Sequence, residues 1–569
     1  MTTPVDRDGI TATVQPLGLV LDVREYSVAL DGARTPYAEV RLLCAAPDDP
    51  DDLDALDPRD GLRVSVELDR EVLAPVPAAQ ARSLDLYLHE RVFDAGAATV
   101  ELVCRSDEAQ LIDDMLGGTA VDESAEAVQG SLRGIVNMVL AQFDAELEPG
   151  DADADFTITH NATNLVTNPR AQVSTAGWSV AMTSGTAVLE RASNAVVAPF
   201  GYTFRARCTA AGSTIVAAFP GLTIGPGKRY QASAWVRCDV ASDVYIDAFN
   251  SGSLDTPNNV YSIPANTWVR INSGQFVIPA GVTTCSVRVI RNGAAAAGVS
   301  LDFTGVRFSE VGPGDNTAPL DGGLAADAHY TYAWTGAADA STSTRTRLDS
   351  RSPDVLKREP GSRAWDFLSS LIDASGLRLF CDEQRRWFLV DPATYVVPGS
   401  LRISEGFNAT SASDTIDLSA GDRGVAGYAE TIVVKYTWTD GAGVQQVAYD
   451  SAGEPHGIGR LIERARPFPG AGAAAAELNR SQGKGRTLEL AALTNLEATP
   501  GQELVAVLPG APLQRGMVSS VEWLSDGTMR VGSRGLTEIL PGSYLAGTDV
   551  VYDDVNPALT YDTFDWSDV

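Results

Sequence analysis

Residues 364–390 read AWDFLSSLIDASGLRLFCDEQRRWFLV. This short stretch contains the patterns of both a helix and a pair of strands. Apolar residues recur at helical spacing in the first half, which predicts an amphipathic helix capped by Ser362 and closed by Gly376. Two apolar runs follow, 377–381 and 386–390, and the polar residues between them predict a hairpin. The stretch therefore indicates helices and antiparallel strands packed together.

Alternating apolar and polar residues predict strands over most of the remaining chain. They begin at about Gly9 and continue to Val103, as in the set Val40, Leu42 and Cys44. Later runs with the same pattern are 431–436, 503–508 and 517–524, and the last is predicted to turn at Ser525-Asp526-Gly527. The class predicted is mainly β with a few helices.

Two helices are predicted after the first group of strands. Ser106 is the expected cap of the first, which should end at Gly117 and Gly118. The second is expected to start at Ser131 and carries one apolar stripe: Leu132, Ile135, Val136, Val139 and Phe143. A further, Ala-rich helix is predicted near 473–479.

The totals limit the function classes. A chain of 569 residues suggests three to four domains. Its net charge of −31 disfavours binding to nucleic-acid phosphates or anionic membranes. No export signal and no membrane-spanning run is expected. Six scattered cysteines favour reduced core thiols, and assembly in a cytoplasm fits them.

Two acidic stretches resemble ion-binding loops but are interpreted as solvated segments. Residues 46–58 are predicted to form a loop, and nothing fixes a calcium geometry there. Asp151, Asp153 and Asp155 follow the spacing of the first half of an EF-hand, but the required glycine is absent and Ala162 stands at the glutamate position. No metal site is therefore predicted.

Enzyme signatures are weak. The four histidines form no zinc motif, and no nucleophile elbow or complete phosphate-binding loop occurs. Carboxylate pairs are abundant without any pair standing out, so a glycosidase dyad stays open. We expect no catalytic residue and no cofactor.

Residues 161–312 change in composition, with few acids and much Asn, Thr, Ser, Ala and Val. NLVTNP (164–169) with Gly177-Trp178, then 227–236, 265–270 and 301–308, resembles the carbohydrate-binding-module-like jelly rolls of phage tail proteins and glycoside hydrolases. The resemblance implies a two-sheet antiparallel sandwich. It also implies that the tryptophans belong to its core or rim: Trp178, Trp235 and Trp268.

Two further segments resemble phage tail proteins. AHYTYAWTGAADASTST (328–344) is similar to a segment of minor tail proteins from phages of high-GC Gram-positive bacteria, where it follows a sandwich. The helix and hairpin of 364–390 resemble tail-tip (baseplate) hub proteins of long-tailed phages. The resemblance implies three parts: hub residues 1–160, an inserted sandwich with its connector at 161–345, and hub residues 346–569 ending in an acidic tail.

The hub resemblance implies a location and partners. It implies a homotrimer at the tail tip of the virion, with hub-type β-barrel domains facing the tail tube and a channel through which DNA passes without specific binding. The partners implied are the distal tail protein or tail tube, the tape measure protein, other minor tail proteins or fibres, and host cell-wall glycan.

A receptor-binding tail spike or polysaccharide depolymerase is the main alternative, although neither β-helix repeats nor a long coiled coil is visible. A bacterial surface adhesin is disfavoured because no export signal is recognised.

A glycan site is predicted on one strand of the sandwich, 243–250. Period two places Val244, Ile246 and Ala248 on one face and Tyr245, Asp247 and Phe249 on the other. If the aliphatic set faces the core, two aromatic rings flank a carboxylate outside, which suits sugar binding, and Tyr261 is predicted to join them. The opposite orientation, with the aromatics in the core, stays open.

Overall fold

The computed structural model describes residues 5–74, 78–193, 201–250, 259–312, 318–404, 406–416, 428–441, 443–482, 486–508 and 514–538. Strands make up 49% of it and helices 11%, so the fold is mainly β, as predicted. No helix within these ranges has the length and apolarity needed to cross a bilayer. The acidic C-terminal tail predicted from the sequence lies outside the described residues.

The first part of the chain contains seven strands and three α-helices. The strands are β1 (Val5–Gln15), β2 (Leu19–Leu21), β3 (Val23–Asp31), β4 (Ala38–Ala45), β5 (Arg63–Ala74), β6 (Ala78–Asp94) and β7 (Thr99–Arg105). The helices are α1 (Pro50–Ala55), α2 (Glu108–Asp113) and α3 (Leu132–Leu140). The predicted alternation is present in β4, where Val40, Leu42 and Cys44 are buried.

The middle of the chain contains strands and no α-helix among its described residues. These strands are β8 (Ala162–Asn164), β9 (Ser179–Met182), β10 (Thr186–Ser193), β11 (Tyr202–Ala210), β12 (Ile215–Thr223), β13 (Arg229–Cys238), β14 (Ser242–Phe249), β15 (Tyr261–Ile263), β16 (Val269–Val277), β17 (Thr284–Asn292), β18 (Ser300–Glu310), β19 (Tyr330–Trp334) and β20 (Ser343–Arg347).

The last part combines two helices with eleven strands. The helices are α4 (Ala364–Ser375) and α5 (Ala473–Gln482). The strands are β21 (Arg378–Cys381), β22 (Trp387–Val390), β23 (Ser400–Ser404), β24 (Ala409–Ile416), β25 (Thr431–Thr439), β26 (Gln445–Gly453), β27 (Gly459–Arg464), β28 (Arg486–Leu493), β29 (Glu503–Val507), β30 (Gln514–Leu524) and β31 (Thr528–Glu538).

The chain forms two compact units. Residues 1–157 and 354–569 form the first, here called the body, and residues 158–353 form the second, called the module. The limits assigned from the sequence, 161 and 345, lie inside the module's bounds. One polypeptide therefore leaves the body, forms the module and returns to complete the body.

Both ends of the chain contribute to one sheet in the body. Its 13 strands run in the order β2-β1-β5-β6-β7-β4-β3-β30-β31-β28-β24, and β29 joins β30 to β23. β3 from the first part pairs with β30 from the last, with Leu30 opposite Val521. Their buried residues belong to one hydrophobic core, to which both parts of the body contribute. Hub-type barrels and a trimer stay predictions.

Ion pairs also connect the two parts of the body. Arg82 on β6 pairs with Glu383 in the hairpin turn between β21 and β22. Asp107 accepts from Arg63 Nη1 at 2.9 Å on one oxygen and from Arg385 Nε at 3.2 Å on the other. Because Asp107 and Glu383 are both buried, each carboxylate needs such a cation. The hairpin itself is where the sequence predicted it.

The residues at the helix ends agree with the predicted caps at two positions and differ at a third. Ser131 is the N-cap of α3, and its hydroxyl oxygen accepts the backbone N–H of Gly134 at 3.1 Å, as predicted. Gly376 ends α4 in the left-handed conformation, also as predicted. The Ser362 cap is wrong, because Arg363 occupies that position and the Ser362 hydroxyl donates to Glu359 O.

The other local corrections concern Ser106 and the acidic stretches. Ser106 does not cap α2, which ends at Asp113; its hydroxyl oxygen accepts from Ala38 N at 3.0 Å. Residues 46–58, predicted as a loop, contain α1, whose N-cap is Asp49. Asp153 accepts the Ser131 hydroxyl and the Arg133 N–H, so this acid supports the start of α3.

The module is a two-sheet antiparallel sandwich. Its sheets have the orders β10-β11-β18-β13-β16 and β15-β14-β17-β12-β9. Trp178 packs at their centre, with ring centroids 5.2 Å from Phe204, 5.4 Å from Phe219 and 4.9 Å from Phe303. The tryptophans were expected in the core or rim: Trp178 lies in the core, and Trp235 and Trp268 are half-buried.

A small third sheet closes the module where the chain enters and leaves it. β8 pairs antiparallel with β20, which also pairs with β19. Asn164 at the end of β8 is fully buried and donates to Val306 O and Leu320 O, both at 2.9 Å. We call β8, β19 and β20 the clasp, because it joins the first and last segments of the module.

Three strands in the last part of the body form a separate sheet in the order β26-β25-β27. One face of it is buried and packs with α5 around Ile432, Val434 and Tyr436. Asp450 on β26 accepts the backbone N–H groups of Gly472 and Ala474, and thereby caps α5.

Candidate functional site

Strand β14 separates its side chains as the sequence pattern allows. Val244, Ile246 and Ala248 are at most 1% exposed and belong to the module's core. Tyr245 and Phe249 therefore lie on the outer face of the sheet, where Phe249 is 40% exposed. Of the two orientations left open by the sequence, the structure has the one with the aliphatic set inside.

Asp247 differs from the expectation of an open carboxylate. It is only 4% exposed, and its two oxygens accept from Arg288 Nε at 2.9 Å and Nη2 at 2.5 Å. Arg288 lies directly opposite on β17, and its guanidinium carbon is 3.8 Å from the centroid of the Phe249 ring. A carboxylate this buried requires a cation, so Asp247 fixes Arg288 and is not free to accept sugar hydroxyls.

Tyr261 is separated from the other three candidate residues. It lies on β15 directly opposite Val244, and residues directly opposite each other in an antiparallel pair share a face. Its ring therefore packs against the core, and its hydroxyl oxygen lies 3.4 Å from Asn272 N. The prediction that Tyr261 joins the outer aromatics is wrong, because the register that decides it is not visible in one strand.

The structure adds residues that one strand's pattern cannot reveal. Tyr245 is opposite Ile290, Ile290 is opposite Val216, and Val216 is opposite Ala181. These four residues form an apolar row across β14, β17, β12 and β9, about 14 Å long from the usual strand spacing. Asp247 and Arg288 begin the next row, which continues through Ala218 and Ser179. We call the two rows and Phe249 the outer track.

The electrostatics of the outer track favour a neutral ligand. Burial raises the pKa of Tyr245, and the negative charge of Asp247 adds to the effect, so the phenol stays protonated at neutral pH. The Asp247–Arg288 pair has no net charge. The track therefore presents two aromatic side chains, apolar surface and guanidinium N–H groups, a combination that suits C–H patches and hydroxyls of sugars.

The outer face of the other sheet is covered at its centre. Ser233 on β13 and Thr304, Arg307 and Ser309 on β18 point outward, yet each is at most 1% exposed. The edge strands of the same sheet carry the exposed side chains of Val188 and Val277. No three His, Cys, Asp or Glu side chains converge in a metal-binding arrangement within the described ranges.

No protein-family model matches the chain. No curated protein matches it. Solved structures do match parts of the chain or most of it, and the three below have low sequence identity.

The 43 kDa tail protein of prophage MuSo2 from Shewanella oneidensis is 8% identical, with 93% of this chain and 96% of that chain covered and a TM-score of 0.36. The xylan-binding domain from carbohydrate-binding family 22 is 15% identical, covering 25% of this chain and 92% of that domain, with a TM-score of 0.20. The tailspike protein 4 domain of bacteriophage CBA120 is 15% identical; 26% of this chain matches only 21% of that one, with a TM-score of 0.22. Structures similar to this chain thus include a phage tail protein, and matches to part of it include a carbohydrate-binding domain.

Proposed function

We propose that this chain is a non-catalytic structural protein of a bacteriophage virion. In this proposal the body forms the hub at the distal end of the tail, as a homotrimer that continues the tail tube and its DNA channel. The module is an accessory that contacts host cell-wall glycan through the outer track. The hub's neighbours are the distal tail protein, the tape measure protein and other minor tail proteins or fibres.

One observation carries the proposal. The two segments whose sequences resemble tail-tip hubs pair through β3 and β30 and share one core, although the whole module separates them in sequence. A hub with an inserted module requires this arrangement. A module fused to the end of a spike would leave its carrier uninterrupted.

The division of charge supports the same roles. The module carries 14 Lys and Arg against 12 Asp and Glu, whereas the body carries 29 against 62. The body is therefore strongly acidic, and such a surface lets DNA pass without retaining its phosphates. The nearly neutral module can approach an anionic bacterial wall, which the body would avoid.

Gold labelling of an affinity tag in purified virions tests the location. The tag is placed in the exposed loop between β16 and β17, at Gly281. We expect label at the tail tip, with three copies for each particle by quantitative mass spectrometry. Label on the tail shaft or the capsid, or a copy number of one or six, contradicts the hub. Release of reducing ends from host polysaccharide by the purified chain contradicts the non-catalytic role.

A further inference from the structure

The sheet formed by β26, β25 and β27 has an outer face unlike the usual solvent-facing sheet. Val447, Tyr449 and Leu461 on that face are 50%, 63% and 59% exposed. A sheet with one face on a core normally presents polar side chains on its other face. Exposed apolar side chains grouped together mark a surface that another molecule covers.

The register brings these side chains together. Val433 on the central strand lies opposite Leu461, Lys435 opposite Tyr449, and Thr437 opposite Val447. Residues opposite one another share a face, so the apolar groups form one continuous surface around Lys435. We call it the neutral face, and its residues are Thr431, Val433, Lys435, Thr437, Val447, Tyr449, Ser451, Leu461 and Glu463.

The charge of the neutral face contrasts with that of the body around it. Its two charged side chains are Lys435 and Glu463, and they pair with each other at 2.8 Å. The face therefore has no net charge, although the body as a whole has more than twice as many acidic as basic residues. A positively charged partner would bind the acidic surface of the body. The neutral face, which has no net charge, is suited to a partner that is not positively charged.

We propose that the neutral face packs against a second copy of this chain. Two copies of so acidic a body repel each other, and a contact between them is least unfavourable where each presents no net charge. Burial of the exposed Val, Tyr and Leu side chains then drives the association. The proposal rests on the proposed hub only in that a hub requires self-assembly.

The size of the face predicts how strong the contact is. The sheet is three strands wide at about 4.8 Å per strand, and its longer strands have nine residues at about 3.3 Å each. Its footprint is therefore on the order of 400 Å². A standard interface buries about 800 Å² on each partner. One such contact is therefore weak, and because it joins the same face of two copies we expect concentration-dependent dimers.

Cross-linking of the full chain tests the surface. All six native cysteines are buried, so Tyr449→Cys supplies one accessible thiol that carries a benzophenone photo-cross-linker. Val173→Cys on the module, where Val173 is 69% exposed, is the matched control. We expect covalent dimers from position 449, increasing with protein concentration, and at least fivefold less from position 173.

Two double variants separate charge from packing. Tyr449→Asp/Leu461→Asp adds repulsion, and Tyr449→Thr/Leu461→Thr removes apolar surface while keeping residues that suit strands. We expect both to weaken self-association in sedimentation equilibrium by at least tenfold with unchanged circular dichroism. Equal cross-linking at both positions, or self-association unchanged in both variants, overturns the proposal. If the variants still place label at the tail tip in three copies, the hub stands and only the neutral face is wrong.

Discussion

Glu108 is the residue whose chemistry has the clearest consequence for stability. It is fully buried where the first and last parts of the body meet, and it accepts from Tyr37 N at 3.2 Å and Cys381 N at 3.0 Å. Burial raises its pKa to about 7, and the backbone donors only partly oppose the rise. At neutral pH a large share of these carboxyl groups therefore holds a proton.

The pH dependence of stability follows from this shift. Because the pKa of Glu108 is higher in the folded chain than in the unfolded one, its contribution to stability is fully present below the ordinary carboxyl pKa near 4.5. This contribution is lost as the pH rises through 7. A shift of this size corresponds to about 3 kcal/mol. We expect Glu108→Gln, which cannot ionise, to melt several degrees higher than the parent at pH 8.5, with the difference shrinking toward pH 5.

The exposed Glu454→Gln is the control, and its melting temperature should stay within about one degree of the parent at both pH values. Differential scanning calorimetry measures all three proteins. An equal effect of Glu108→Gln at both pH values would mean that its charge is not the cause.

Substitution of Tyr245 and Phe249 tests whether the outer track binds glycan. Tyr245→Ala/Phe249→Ala removes both aromatic rings while the core residues of β14 remain. We expect binding of the isolated module to host cell walls or a glycan array to fall at least tenfold, with melting nearly unchanged. The control Val188→Ala/Val277→Ala alters exposed residues on the other sheet and should bind as the parent does. A folded variant that binds normally places the site elsewhere.

At the residue scale, the sequence predicted what local spacing determines and missed what tertiary contact determines. Ser131 caps its helix because the first turn of every helix has unpaired backbone N–H groups, one of them three residues after the capping residue. Ser106 has the same local pattern, but a backbone N–H from another strand is its partner. Tyr261 was misplaced for the same reason, since its face depends on the register with β14.

At the scale of elements, the clasp depends most on Asn164. Its amide donates to two buried carbonyl groups, and its oxygen accepts from Val166 N at 3.2 Å and Phe308 N at 3.0 Å. Asn164→Ala leaves these groups without a partner, at a cost of about 3 kcal/mol or more. We expect the module's melting temperature to fall by roughly 10 °C.

The exposed Asn292 on β17 makes a suitable control, because Asn292→Ala removes a surface contact to Thr214. Calorimetry of both full-length variants should show the module's transition lowered only by Asn164→Ala. An unchanged module transition in that variant would show that the clasp does not hold the sandwich together.

Strands and the helix–hairpin of 364–390 were predictable as elements because burial of one face imposes period two or period 3.6 on the sequence. The order of strands was not. The pairing of β3 with β30 joins residues almost five hundred positions apart, and no local pattern specifies which of many similar strands become neighbours. The outer track was missed for the same reason, since it runs across strands.

For the whole molecule, the prediction is that the body folds without the module. A chain in which residue 157 is joined to residue 354 by a short Gly-Ser linker keeps all residues of the body's core. We expect cooperative melting within a few degrees of the body's transition in the parent, and the strand signature in circular dichroism. A melt without cooperativity would show that the module contributes to the body's stability.

An inserted module was predictable from the change in composition at 161–312 and from the hub resemblance assigned to the residues on both sides of it. The core that both parts of the body share was not predictable, because it follows from the pairing of β3 with β30. The neutral face also escaped the sequence, since Val447, Tyr449 and Leu461 read as ordinary alternating strand residues until the structure shows which face is covered.

The clasp has a mechanical consequence. A domain attached at a chain end is connected by one covalent segment. This module is connected to the body by two segments, one next to β8 and one next to β20, and these two strands pair with each other. When the module grips a surface and the body is pulled away, the tension divides between two backbones. A protease that cuts one of them leaves the module still tethered by the other.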